Sequence, residues 1–182
     1  HPVPSIPANH EKYQADGRYW QGGVWAPTNY MVIKGLQRNG FYKEAFDLAK
    51  RHHEQVAEVF KKTHTFWEYY SIVATEACVL VLADFVGWMG LVTISVLFES
   101  LFGINANYLK KTIEWRVNLT EEHGIDRYPI GPEGMLSLKC AARSSAKQRP
   151  TIEIKSNLEL VLLLSWERKS ETIQLHSGLN KI

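Results

Sequence analysis

The feature that most constrains the fold is a change in the spacing of apolar residues near Lys111. In residues 42–62, apolar side chains recur three or four positions apart, which is the spacing of one face of an α-helix. After residue 112 they alternate with polar side chains, as in residues 113–119 and 135–140, which is typical of half-buried β-strands. The sequence therefore predicts an α+β fold, with helices first and a small antiparallel β domain after them.

Further segments fit this division. Residues 28–37, which follow Pro27, and residues 88–101, which precede a capping Gly103, also have helical patterns. The short Asn39-Gly40 turn predicts that the first two helices form a hairpin. Alternating or fully apolar runs predict further strands at 152–155, 158–166 and 172–175. We therefore divide the chain into residues 1–111 and 112–182.

The longest apolar stretch, residues 77–98, has the length of a membrane helix. Asp84 would lie within it, and Gly87 and Gly90 interrupt its helical pattern. We interpret the stretch as a buried segment of a folded domain and expect no membrane partner.

Composition excludes several classes of protein. The 182 residues are 45% hydrophobic and carry a formal charge of +2, which argues against disorder and gives no electrostatic case for nucleic acid. Cys78 and Cys140 are far apart in sequence, and their pairing is left open. His52-His53-Glu54 lacks metal-ligand spacing and is interpreted as solvated helix surface, so no metal site is expected.

The candidate functional residues begin in "YWQGGVWAPTNY", residues 19–30. Trp20 and Trp25 flank two glycines just before a helix, and glycine lets the backbone approach a ligand closely. Gly23 is the candidate for that approach, and Asn29 could offer its amide to hydroxyl groups. The alternative for this segment is a core loop anchored by its tryptophans.

Two later segments add carboxylates. "TFWEYY", residues 65–70, places Glu68 among aromatic rings, with Tyr69 or Tyr70 as a neighbour that could hydrogen-bond it. The structural alternative is an acid at a helix end. "DFVGWMG", residues 84–90, contributes Asp84 and Trp88, and Asp84 could either cap the next helix or bind a ligand hydroxyl.

In this order and spacing, "YWQGGVWAPTNYMVIKGLQRNG", "TFWEYY" and "DFVGWMGL" resemble the C-terminal part of the α/α-barrel glycoside hydrolases. Glycoside hydrolase family 63 and its mannosylglycerate-hydrolase-like relatives are nearest, and trehalases are more distant. The resemblance implies part of an (α/α)6 barrel, built of six helical hairpins, in an inverting enzyme without a cofactor. Its substrates would be α-linked glucosides or mannosides.

The resemblance also implies roles for individual residues. Glu68 matches the general base of a Glu-x-Tyr motif. The substrate-binding positions are Trp20, Gly23, Trp25, Asn29, Tyr70, Asp84 and Trp88. The apolar run at residues 71–82 departs from the family, which has a polar or glycine- and proline-rich loop there.

The family's general acid lies upstream of the part that this chain resembles. Twelve helices need on the order of 200 residues, about twice the helical part found here. We therefore expect a C-terminal fragment whose partners are carbohydrate and either the missing part of the barrel or a second copy. The alternatives are a non-catalytic carbohydrate-binding or structural module and a helical interaction domain with an exposed apolar face.

Overall fold

The computed structural model describes residues 2–72, 81–85 and 87–182. Cys78 and most of the apolar run 71–82 fall outside these ranges, so the predictions for them are not addressed by the structure. The chain divides into two compact units, His1–Ser100 and Leu101–Ile182. The first is helical and the second is built of strands, so the predicted α+β class is confirmed.

The described residues of the first unit form three helices: α1 (Ala26–Arg38), α2 (Tyr42–Thr63) and α3 (Gly87–Val96). Pro27 lies in the first turn of α1, where its missing N–H costs nothing. Gly40, with φ of 81°, makes the turn to α2, and the predicted hairpin is observed. One π-helical turn, Leu97–Leu101, continues α3.

The inner face of α2 carries buried residues three or four positions apart, as predicted: Ala45, Ala49, His52, Val56 and Val59. The prediction that His52 is solvated is wrong. Its side chain is completely buried, and neither ring nitrogen has a hydrogen-bond partner among the residues that the structure describes. Helical phase explains this, because His52 lies three residues after Ala49 and four before Val56.

Helix α3 is less buried than its composition predicts. Its buried residues Gly90, Thr93 and Val96 are three positions apart, and so are the exposed Trp88, Leu91 and Ile94. Leu91 is 68% exposed and Ile94 is 55% exposed. The expectation of a buried helix is therefore wrong for one side of α3, because α1 and α2 cover only the other side. None of the described helices is both long enough and apolar enough to cross a membrane.

The second unit contains eight strands in two four-stranded sheets. In chain order they are β1 (Ile104–Asn107), β2 (Thr112–Arg116), β3 (His123–Ile130), β4 (Gly134–Cys140), β5 (Ile152–Ser156), β6 (Leu160–Trp166), β7 (Lys169–Leu175) and β8 (Gly178–Lys181). The sheet orders are β1-β2-β6-β7 and β3-β4-β5-β8. Inward-facing residues of both sheets, including Trp115, Leu136, Ile154 and Leu162, share one core. Two sheets that share a core in this way form a β-sandwich.

The β prediction needs three corrections. The pairing of β2 with β6 is parallel, so the unit is not purely antiparallel. The first strand, β1, begins at Ile104, which is earlier than expected. It was not predicted because it is a polar edge strand that packs only part of its surface. Strand β3 was not predicted because it contains Gly124 and Pro129. Both are tolerated there, since β3 is an edge strand with a register shift between Ile125 and Tyr128.

Gly103→Ala is expected to destabilise the second unit by about 2–5 kcal/mol. Gly103 has φ of 73°, where a side chain costs roughly 1–2 kcal/mol, and a Cβ there would lie 2.0 Å from the backbone oxygen of Arg116. Hydrogen exchange of the β2 and β6 amides measures the loss. Gly178→Ala is the matched control, because Gly178 also has positive φ but nothing within 4 Å of the added Cβ. Equal losses in the two variants would contradict the steric argument.

Candidate functional site

The aromatic residues of the predicted site form one cluster around Trp25. Its indole stacks with Trp20 at a centroid distance of 4.1 Å and 3° between planes, and with Tyr69 at 5.0 Å and 20°. Tyr19 and Trp88 meet it edge-on at 5.1 Å and 6.1 Å. Stacked and edge-to-face pairs are the two favoured aromatic geometries. Trp25 is therefore the centre of the cluster and is only 1% exposed.

A short backbone bridge brings the two sequence segments together. Val24 N donates to the Tyr70 carbonyl at 2.8 Å, and Tyr70 N donates to the Val24 carbonyl at 3.1 Å. This pairing places Tyr69 beside Trp25. Tyr70 is completely buried, and burial raises the pKa of its phenol to about 12. Its hydroxyl accepts a hydrogen bond from Trp67 N at 3.4 Å.

Gly23 packs against the cluster. A Cβ at this position would lie 2.5 Å from the Tyr19 carbonyl oxygen and 2.8 Å from the Tyr69 ring. The Tyr19 carbonyl accepts hydrogen bonds from Gly23 N at 3.1 Å and from Trp25 Nε1 at 3.2 Å. Tyr19 has φ of 47°, an uncommon conformation for a bulky residue that costs of order 1–3 kcal/mol. The strained turn is thus tied directly to the central indole.

Glu68 precedes Tyr69 in the same segment and is half-buried. Its backbone N–H donates to the Leu82 carbonyl at 3.1 Å, which fixes the main chain at this point. Its carboxylate makes no hydrogen bond or ion pair with any described residue. A partly solvated carboxylate without a protein partner can accept a hydrogen bond or a proton from a ligand or a water molecule.

Asn29 and Asp84 are placed differently. Asn29 is completely buried, and its amide bonds the Val3 backbone through both the oxygen and the nitrogen, as well as the Trp25 carbonyl. It therefore anchors the N-terminal segment on α1, and its role in binding a ligand stays a prediction. Asp84 is exposed and accepts a hydrogen bond from Thr65 Oγ1 at 2.6 Å.

The structure thus brings Trp20, Trp25 and Trp88 into contact. Trp20 is 42% exposed and Trp88 is 45% exposed, so both present ring surface to solvent while Trp25 does not. Tyr19 was not among the predicted site residues, and Tyr69 was considered only as a possible hydrogen-bond partner of Glu68, although both belong to the motifs that drew attention. Their adjacency to Trp20 and Glu68 was the available signal.

Across residues 2–72, 81–85 and 87–182, no group of three or more His, Cys, Asp or Glu side chains could hold an ion. Cys140 is buried within the second unit, and burial raises the pKa of its thiol.

Comparison with known proteins bears on the first unit. Residues 1–78 match the family described as mannosylglycerate hydrolase MGH1-like glycoside hydrolase domain. This confirms the resemblance for "YWQGGVWAPTNY" and "TFWEYY". The segment at residues 84–91 and the whole second unit lie outside the match. The N-terminal part of the chain is therefore glycoside-hydrolase-like.

A curated relative is an uncharacterized protein of Borreliella burgdorferi, 23% identical over 137 residues. The match covers 69% of this chain and 29% of the relative, so the chain spans less than a third of the relative's length. No solved structure matches.

Proposed function

We propose that this chain is the C-terminal part of an inverting glycoside hydrolase that acts on α-linked glucosides or mannosides, and that Glu68 is its general base. The observation that carries the proposal is the Glu68 carboxylate. It is half-buried, it has no partner among the described residues, and it belongs to the residue that directly precedes Tyr69 of the aromatic cluster, within the glycoside-hydrolase-like residues 1–78.

The proposed chemistry needs two carboxyl groups. In an inverting glycosidase they stand roughly 6.5–9.5 Å apart, and one activates water while the other protonates the leaving oxygen. Glu68 fits the first role, because an unpaired carboxylate can accept the proton of a water molecule. The general acid would come from a part of the enzyme that this chain does not supply. The exposed ring of Trp88 offers an apolar surface for the face of a sugar.

The exposed side of helix α3 is the basis for the proposed protein partners. Its outer side carries Trp88, Leu91 and Ile94, and the sequence of α3 contains no ionisable residue. Uncharged exposed apolar faces are typical of surfaces that pack against other protein. The remaining helical hairpins of an (α/α)6 barrel, or a second copy of this chain, would cover this side.

A non-catalytic carbohydrate-binding module is the second candidate. Asn29 and Tyr70 are both buried, with their polar groups bonded within the protein, and Asp84 is engaged by Thr65. This leaves Glu68 as the site carboxylate without a described partner. A site with one free acid can bind sugar without cleaving it.

We expect the 182-residue chain to hydrolyse an α-glucosyl or α-mannosyl fluoride slowly and not to cleave natural disaccharides. Fluoride leaves without a proton, whereas a sugar oxygen needs the missing acid, whose loss costs typically 10²–10⁴-fold in rate. NMR of the released sugar would show the β-anomer if the reaction inverts. Cleavage of natural disaccharides would place a second catalytic carboxyl group within this chain. Binding without turnover of either substrate would favour the carbohydrate-binding module.

A further inference from the structure

The central indole of the aromatic cluster has no surface open to a ligand in this structure. Trp25 is 1% exposed, and one of the rings that cover it is Trp20, which lies parallel to it at 4.1 Å. A sugar or another flat ligand that stacks on Trp25 would need the position that the Trp20 ring occupies. Trp20 itself is 42% exposed, so its displacement would disturb little packing.

The ring of Trp20 is held differently from its neighbours. Trp25 is tied by its Nε1 to the Tyr19 carbonyl, and Trp88 belongs to helix α3. Neither the backbone nor the side chain of Trp20 makes a hydrogen bond to any residue that the structure describes. Its ring is therefore held in place by aromatic contacts with Tyr19 and Trp25.

The backbone around Trp20 contains two residues with positive φ. The preceding Tyr19 is in the left-handed region, with φ of 47°, and Gly22 has φ of 137°. Strained residues persist when surrounding contacts hold them, and they cluster at ligand clamps and switches. The hydrogen bonds that hold Tyr19 come from Gly23 N and Trp25 Nε1, both within the same cluster. A change at Tyr19 would swing the Trp20 ring away from Trp25.

We propose that Trp20 is a gate over Trp25, and that a ligand with a flat apolar face, such as a pyranose ring, takes its place. The ligand class rests on the proposed function. The gate itself rests on the stacking geometry and on the strained turn. In this state Trp20 blocks the deepest ring of the site, and only the fraction of molecules with the ring swung out binds fully.

The test titrates methyl α-D-mannopyranoside and methyl α-D-glucopyranoside into the full 182-residue chain and into Trp20→Ala. Binding is followed by calorimetry, and the Trp20–Trp25 stack by the exciton couplet that parallel indoles give in circular dichroism. The couplet is assigned from the difference between the wild-type and Trp20→Ala spectra. A gate that is open in about one molecule in ten weakens binding about tenfold, so Trp20→Ala is expected to tighten it by that factor. The wild-type couplet is expected to vanish at saturation.

Two further variants sharpen the comparison. Trp20→Phe keeps an aromatic ring and is expected to bind with intermediate affinity. Trp88→Ala removes the other exposed indole and is expected to weaken binding while it leaves the couplet in place.

Binding to either protein allows the gate to be tested separately from the sugar site. Weaker binding in Trp20→Ala, or a couplet that persists at saturation, overturns the gate and leaves the sugar site standing. Binding to Trp20→Ala without binding to the wild type supports a gate that is nearly always closed. Absence of binding to both proteins overturns the gate and the sugar site together.

Discussion

Glu68→Gln is expected to lower the turnover of an α-glycosyl fluoride by about 10²–10⁴-fold, the usual contribution of a positioned general base. The substitution keeps the size and shape of the side chain but removes the oxygen that accepts the proton of water. The carboxylate has no described partner, so the exchange breaks no ion pair and folding is expected to be unchanged. Fluoride release measured against substrate concentration gives the change in kcat.

Glu54→Gln is the matched control. Glu54 lies on the exposed side of α2, where its carboxylate is 3.8 Å from Lys50, and the change alters net charge by the same amount. It is expected to leave turnover unchanged. Addition of azide tests the role of Glu68 further, because an anion that needs no deprotonation can replace water and restore turnover in Glu68→Gln. Equal activity of the wild type and Glu68→Gln would remove Glu68 from the proposed mechanism.

The second large effect is acid destabilisation of the helical unit through His52. Burial lowers the pKa of this imidazole to about 4 in the folded protein, with a smaller contribution from neighbouring His53. The pKa in the unfolded chain is about 6.5. The unfolded state therefore binds the proton more tightly, and stability falls as the pH drops from about 6.5 towards 4. The full pKa difference of about 2.5 corresponds to about 3.4 kcal/mol in the free energy of unfolding, and about 2 kcal/mol of this stability is lost by pH 5.

Urea unfolding followed by helical circular dichroism at pH 7.5 and pH 5 measures this loss. Because carboxylates also titrate in this range, the informative quantity is the difference between the wild type and His52→Leu. Leucine removes the titrating group and the two unpartnered ring nitrogens, so this variant is expected to lose about 2 kcal/mol less on acidification. His53 has a lowered pKa, mainly from burial, and adds to the loss in both proteins.

His176→Leu serves as the control, because His176 is exposed in the second unit. It is expected to leave the acid response of the helical unit at the wild-type value. An equal loss in the wild type and His52→Leu would show that His52 does not carry the effect.

The spacing of apolar residues along the chain determined the fold class and the positions of many of its helices and strands. The spacing along α2 is regular enough to place its buried face, including position 52, although the polarity of histidine led to the wrong interpretation there. Alternation located β2, β4, β5, β6 and β7, because each has a face in the shared core. The edge strands β1, β3 and β8 escaped detection because an edge strand need not carry the full alternating pattern.

The sequence identified the residue types of the candidate site but not their arrangement. Three tryptophan-containing motifs and two carboxylates, Glu68 and Asp84, could be selected from the chain, and similarity to a glycoside hydrolase domain covers both the first tryptophan segment and Glu68. Which side chains remain free for a ligand could not be read from the motifs. Asn29 was predicted to bind a ligand, and its amide anchors the Val3 backbone, whereas Tyr69 was considered only as a partner of Glu68 and stacks on Trp25.

The sequence by itself determined where the chain is helical, where it forms strands, and which aromatic residues are concentrated near Glu68. These properties depend on near neighbours, whose spacing fixes the face of a helix or strand. Tertiary structure decided that Tyr69 stacks on Trp25, that His52 is buried without a hydrogen-bond partner among the described residues, and that one side of α3 is exposed. Each of these depends on which distant residues pack together, and the burial of a side chain follows from that packing, whatever its own polarity.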